Sequence, residues 1–96
     1  MFPKLDPLLH SELRLALMSV LAGVEEADFS YLKKQTGATS GNLSVQIDKL
    51  TAAGYSTVEK GFKGKMPRTT CRITPAGQEA FSNYVDALKE YLSAGK

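Results

Sequence analysis

Between Lys60 and Arg72 the chain places five cations, Lys60, Lys63, Lys65, Arg68 and Arg72, and no acid. Long cationic side chains at this density suit phosphate groups. Upstream, Asn42 and Gln46 stand one helical turn apart. Each carries an amide that donates and accepts, as the adenine edge in a major groove requires. Ser40 and Ser44 offer short hydroxyls for phosphates or base edges, and Gly41 lets the backbone come close. These residue types support non-covalent recognition of a nucleic-acid duplex. They do not support catalysis. The sequence has no glycine-rich phosphate loop after a strand, no nucleophile elbow and no His/Cys/Asp constellation. His10 is the only histidine, and there is no Cys-x-Cys or His-x-x-His pair. No metal or cofactor is therefore expected, and His10 reads as a helix-end residue. Cys71 is the single cysteine, so no intramolecular disulfide can form, which fits a reducing cytosol. It reads as a small, half-buried strand residue rather than a redox switch, because reactivity needs an accessible thiolate.

The elements that must hold these residues follow from spacing and punctuation. Asp6-Pro7 predicts a helix start, with Leu8, Leu9, Leu13, Leu17, Val20 and Leu21 at helical spacing up to Ala22 and Gly23 as the stop. Asp28-Phe29 predicts a very short strand. Ser30 predicts the cap of a second helix, Tyr31 to about Thr36, stopped by Gly37. Thr39 or Ser40 caps a third helix that Gly54 ends. Leu43, Ile47 and Leu50 share its core face, while Gly41, Asn42, Val45, Gln46 and Lys49 point away. Val45 there either meets a thymine methyl or is an ordinary exposed valine. A hairpin follows, with strands near Tyr55–Glu59 and Arg68–Thr74 and a loop broken by Gly61, Gly64 and Pro67. Lys63 and Lys65 fall at its tip, and Arg68 opens the return strand. Thr74-Pro75 starts a last helix to about Leu92. The predicted order is α-β-α-α-β-β-α: mainly α with a small hairpin, a winged helix-turn-helix.

The totals agree. Ninety-six residues make one small domain, 1–96. The net charge of +2 conceals a segregation: Phe29–Thr74 holds eight Lys/Arg and two Asp/Glu, while the remainder holds four basic and eight acidic groups. No run is long enough to span a membrane, and the first residues lack the parts of a signal peptide, so a cytoplasmic location is expected. Two apolar sets exceed what the small core can cover. The last helix carries Tyr84, Val85, Leu88, Tyr91 and Leu92, and the N-terminal segment carries Phe2, Leu5, Leu8 and Leu9. Segment 1–22 and helix 75–92 are thus the expected dimerisation elements.

The stretches Asp28-Phe-Ser-Tyr-Leu, Thr39-Ser-Gly-Asn-Leu-Ser, Leu50-Thr-Ala-Ala-Gly-Tyr, Pro67-Arg-Thr-Thr and Ile73-Thr-Pro-Ala-Gly, in this order, resemble small winged-helix transcriptional regulators. These are of the multiple-antibiotic-resistance-regulator (MarR) type and the related arsenic-repressor (ArsR) type. The short stand-alone MarR-like group is the nearest likeness, and it covers about Leu5 to Leu92. The resemblance implies a homodimer on double-stranded DNA, usually a repressor, and in some relatives a small-molecule effector. It makes the helix from Thr39 the recognition helix, with Ser40, Gly41, Asn42, Ser44, Val45 and Gln46 toward the groove. It makes Lys60, Lys63, Lys65 and Arg68 the wing. Many relatives carry Arg or His where this chain has Val45 and Gln46. A winged helix used for protein contacts inside a larger assembly, its basic wing against an acidic partner, is the alternative.

Overall fold

Leu43, Ile47 and Leu50 turn one face of a helix inward, and all three are buried. In the computed structural model, which describes residues 1–95, that helix is α3, Ser40–Ala52. Thr39 caps it by accepting a hydrogen bond from the Asn42 backbone N–H. Its far end is a Schellman turn: Tyr55 N–H donates to the Leu50 carbonyl, Gly54 N–H to the Thr51 carbonyl, and Gly54 takes a φ of 80°. Around α3 the chain runs α1 (Glu12–Ala22), β1 (Ala27–Asp28), α2 (Phe29–Thr36), then β2 (Ser56–Lys63), β3 (Met66–Ile73) and α4 (Pro75–Ser93). The three strands form one antiparallel sheet in the order β1-β3-β2. This is the winged-helix order that the spacing predicts.

Four boundaries differ from expectation, the first being the short strand, which is Ala27–Asp28 with Phe29 already in α2. Asp6-Pro7 does not start α1. Asp6 Oδ1 accepts from Leu8 N–H at 2.9 Å and the Asp6 carbonyl accepts from Leu9 and His10, which closes a single turn. Ser11 then caps α1 afresh, accepting from Arg14 N–H. The second helix begins earlier than Ser30 allows, because Asp28 is the cap and its carboxylate accepts from Tyr31 N–H at 2.8 Å. The hairpin strands are longer than expected. Their register runs from Ser56↔Ile73 to Lys63↔Met66, so the loop shrinks to Gly64-Lys65. Gly64 has a φ of 63°, and glycine first in a two-residue turn is the II′ requirement. Pro67 is tolerated in β3 because β1 pairs only with Thr70 and Cys71, leaving the β3 edge open there.

The core gathers Leu17, Met18 and Leu21 of α1, Leu32 of α2, the α3 trio, and Cys71 of β3. Leu9 and Tyr84 also belong to it. This corrects their assignment to an uncovered dimer surface: both are buried within one chain. Leu5, Leu8 and Leu88 pack against the same core and are half-buried, as is Val85. What stays open at that end is Met1, Phe2, Tyr91 and Leu92. The Phe2 ring stacks on Tyr91 with centroids 4.7 Å apart, and Tyr91 Oη donates to the Pro3 carbonyl at 2.6 Å. The N-terminal segment is thereby strapped along the last turns of α4. No helix among the described residues is long and apolar enough to cross a membrane.

Candidate nucleic-acid interface

With its core face buried, α3 leaves Ser40, Gly41, Asn42, Ser44, Val45 and Lys49 exposed. Val45 is half exposed, an apolar side chain amid polar ones. Capping by Thr39 leaves the remaining N-terminal N–H groups available to an anion, and no acid stands in the first turn to oppose one. A cleft of about 390 Å³ separates α3 from the hairpin. Ser40, Ser44 and Asp48 line it from the helix, and Val58, Lys60 and Thr69 from the sheet. Lys60 thus shares a cleft with the outward side of α3. Beyond it the hairpin projects as a two-stranded wing, with Lys63 and Lys65 at or beside the Gly64 turn.

The wing cations divide into two groups. Arg68 lies 3.6 Å from Asp28 and 4.0 Å from Glu26, and Arg72 lies 2.5 Å from Glu26. Their charge is matched by acids on or before β1, and they tie the hairpin to the body of the fold. Arg68, opposite Gly61 in the hairpin, lies near these acids without a hydrogen bond to them and stays partly exposed, whereas Arg72 is hydrogen-bonded to Glu26. Lys60, Lys63 and Lys65 have no ion pair among the described residues, so their charge is open to a partner. Lys33 and Lys34 sit exposed in the last turn of α2, where they also complement the helix dipole.

Gln46 differs from its expected place. It does not project freely from α3 but is half-buried. Its Oε1 accepts from Arg14 Nη1 at 2.5 Å, and its Nε2 donates to Asn42 Oδ1 at 3.0 Å. Arg14 Nε also donates to the Leu8 carbonyl at 2.6 Å. Sequence reasoning missed Arg14 altogether, since it lies 32 positions away and carries no local signal. It also missed Phe62 and Met66, exposed apolar side chains near the wing tip. Alternation along the wing could have flagged them.

Two other singled-out residues have structural places. Cys71 is fully buried rather than half-buried, and burial pushes its thiol pKa up to about 11. His10 Nδ1 lies 2.9 Å from Tyr84 Oη, beside the turn that precedes α1. Tyr55 donates its hydroxyl to Asp6 Oδ2 at 2.6 Å, and that hydrogen bond, with burial and the carboxylate charge, raises the phenol above its ordinary pKa.

Comparison with known proteins agrees with this fold. Residues 13–92 match the family described as the winged helix DNA-binding domain. An uncharacterized protein of Methanocaldococcus jannaschii is 35% identical over 77 residues, 79% of this chain and 83% of that one. A transcriptional regulator homologue from Pyrococcus horikoshii OT3 superposes with a TM-score of 0.83 at 30% identity, covering 88% of this chain and 84% of that chain. A MarR family transcriptional regulator from Silicibacter pomeroyi shares the fold, with a TM-score of 0.68 at 18% identity over 83% of this chain and 53% of its own. The chain belongs to the winged helix DNA-binding domain family of transcriptional regulators, not to an enzyme family, and its fold is that of a small MarR-like member.

Proposed function

We propose that the chain works as a homodimeric repressor on a specific duplex site. In this reading α3 enters the major groove and the wing lies on the phosphate backbone or in the adjacent minor groove. One observation carries it. Ser40 and Ser44 of α3 share one cleft with Lys60, and Lys63 and Lys65, also without ion pairs among the described residues, follow at the turn of the same hairpin. That arrangement matches a helix reading base edges while cations engage the neighbouring backbone. Arg72 takes no direct part; it ties the hairpin to the body through its hydrogen bond to Glu26, and Arg68 beside the same acids supports the wing. A small-molecule effector has a candidate seat in a second cleft, about 410 Å³, between the N-terminal turn and α4, lined by Leu5, Tyr55 and Tyr84 among others.

A salt titration tests the reading. Affinity for mixed genomic duplex DNA is expected to fall steeply between low and moderate salt, because each lysine–phosphate contact releases counterions. In the Lys63→Ala/Lys65→Ala double variant the log–log slope is expected to flatten by up to about two units, with all sequences weakened alike. An unchanged slope removes the wing tip from the interface. Absence of DNA binding at low salt favours the protein-contact alternative, for which exposed Phe62 and Met66 are the supporting feature.

A further inference from the structure

We infer that Arg14, which lies on α1 and outside the reading helix, sets the orientation of both amides on the α3 surface and is a positioning residue for sequence readout. This rests on the proposed role of α3 in the major groove.

A guanidinium has donors only. The Gln46 atom 2.5 Å from Arg14 Nη1 must therefore be the amide oxygen. The Gln46 nitrogen then lies on the other side, where it meets Asn42 at 3.0 Å. That nitrogen is itself only a donor, so Asn42 must turn its oxygen toward it. The Asn42 nitrogen is left pointing away from this contact, on an exposed residue. One cation thus decides the sense of two amides, each of which could otherwise exchange oxygen and nitrogen by a half-turn. The cation itself has a fixed seat. Arg14 Nε donates to the Leu8 carbonyl at 2.6 Å. Leu8 belongs to the turn closed by His10 N–H on the Asp6 carbonyl and braced by Tyr55 on the Asp6 carboxylate.

The consequence is chemical selectivity. An outward Asn42 nitrogen suits the acceptors of a major groove, purine N7, guanine O6 and thymine O4, and opposes the amino groups of cytosine and adenine. Without the hold of Arg14, Asn42 can turn its oxygen outward and accept from those amino groups. Base discrimination then falls, while phosphate-driven affinity does not change. Lysine keeps the charge of Arg14 but lacks the fork that bridges Leu8 and Gln46 together.

The experiment compares wild type with Arg14→Lys and Arg14→Ala. A preferred duplex is selected from a random pool with the wild type, and each protein is then titrated with that site, its single-base variants and random DNA. Arg14→Lys is expected to lose about tenfold of discrimination at the position facing Asn42, the scale of one base-edge contact. Its affinity for random DNA is expected to stay within about twofold, since the cation is retained. In parallel, NMR of the free proteins follows the side-chain amide signals of Gln46 and Asn42. Both are expected to shift in Arg14→Lys while the backbone signals of the α3 core positions hold still. Discrimination that survives in Arg14→Lys, or amide signals that do not move, overturns the inference. A wild type with no DNA affinity at low salt instead overturns the reading of α3, and the readout role with it; the amide signals then judge the hold alone.

Discussion

Cys71 sits in the middle of the sheet, opposite Ala27 on one side and Val58 on the other. Desolvation disfavours its thiolate, so the folded protein binds that proton more tightly than the unfolded chain does. The folded pKa is raised, so the contribution to stability is full below the ordinary value of 9.0 and is lost as pH climbs toward about 11. Two outcomes follow. The urea midpoint should fall between pH 9 and 10.5 more steeply than between pH 7 and 9, with the raised Tyr55 phenol adding to the fall above its ordinary 10.0. A thiol reagent at pH 8 should react slowly with the native protein and quickly in denaturant; rapid native reaction would restore the redox-switch reading. Amide readout makes a second prediction at this scale. Asn42→Ala is expected to cost about 1–3 kcal/mol on the preferred site and little on random DNA. Gln46→Ala added to Asn42→Ala should cost little more, because the two amides act as one unit; full additivity in the cycle would separate them. Sequence spacing placed Asn42 on the outward face correctly in the structure. It could not place Gln46, whose direction is set by Arg14 across the fold, nor Arg68, whose neighbouring acids lie on and just before a strand about forty residues earlier. Tertiary partners of this kind leave no periodic trace.

Caps and turns decide where the elements begin and end, and one junction locks several of them. Thr74 caps α4 by accepting from Gly77 N–H at 2.9 Å, and its hydroxyl donates to the Gly54 carbonyl at 2.6 Å. Thr74 N–H donates to the Tyr55 carbonyl at 3.1 Å. Gly77 then lies against that same carbonyl: a Cβ added there would stand 2.1 Å from the oxygen. The stretches Leu50-Thr-Ala-Ala-Gly-Tyr and Ile73-Thr-Pro-Ala-Gly, which appear as separate motifs in the sequence, are therefore the two halves of one contact. Gly77→Ala is expected to destabilise by about 3 kcal/mol or more, above the common range for overpacking, because backbone rather than a flexible side chain must move. Chemical denaturation measures it, and a loss under about 1 kcal/mol would mean that α4 shifts freely on the sheet. The same rules explain which boundaries were legible. Thr39, Gly54 and Thr74-Pro75 mark real helix ends because the local signal and the packing agree. Asp6-Pro7 gave a cap without a helix: its turn closes, and Ser11 starts the helix that packs. Ser30 lost to Asp28, whose carboxylate reaches the free N–H of Tyr31. Competing caps two to five residues apart can only be ranked once the core is known.

At the scale of the whole molecule, α4 is a 19-residue rod of about 28 Å, and the structure is 55 Å in its longest dimension. Its first half packs on the body through Gly77 and Tyr84, both buried. Its last turns hold only the N-terminal strap, leaving Leu92 70% and Phe2 57% exposed around the Phe2–Tyr91 stack. The patch is smaller than the sequence suggests, since Leu9 and Tyr84 are spent on the core, but it lies away from the wing and is continuous across both chain ends. Packing it against a copy through a two-fold axis would cover both sets at once. It would also set two recognition helices roughly 34–36 Å apart, one duplex turn, so the preferred site should be a near-palindrome. Leu92→Glu is the cleaner probe than a change at Leu88, which packs against its own core and would confound assembly with folding. Sedimentation equilibrium at micromolar concentration should give about twice the 10.4 kDa chain mass for wild type and a shift toward monomer for Leu92→Glu. Affinity for the palindromic site should fall with it, while affinity for a single half-site should not. A wild type that sediments as a monomer throughout, or a variant that keeps both mass and palindrome affinity, would rule out assembly through these ends.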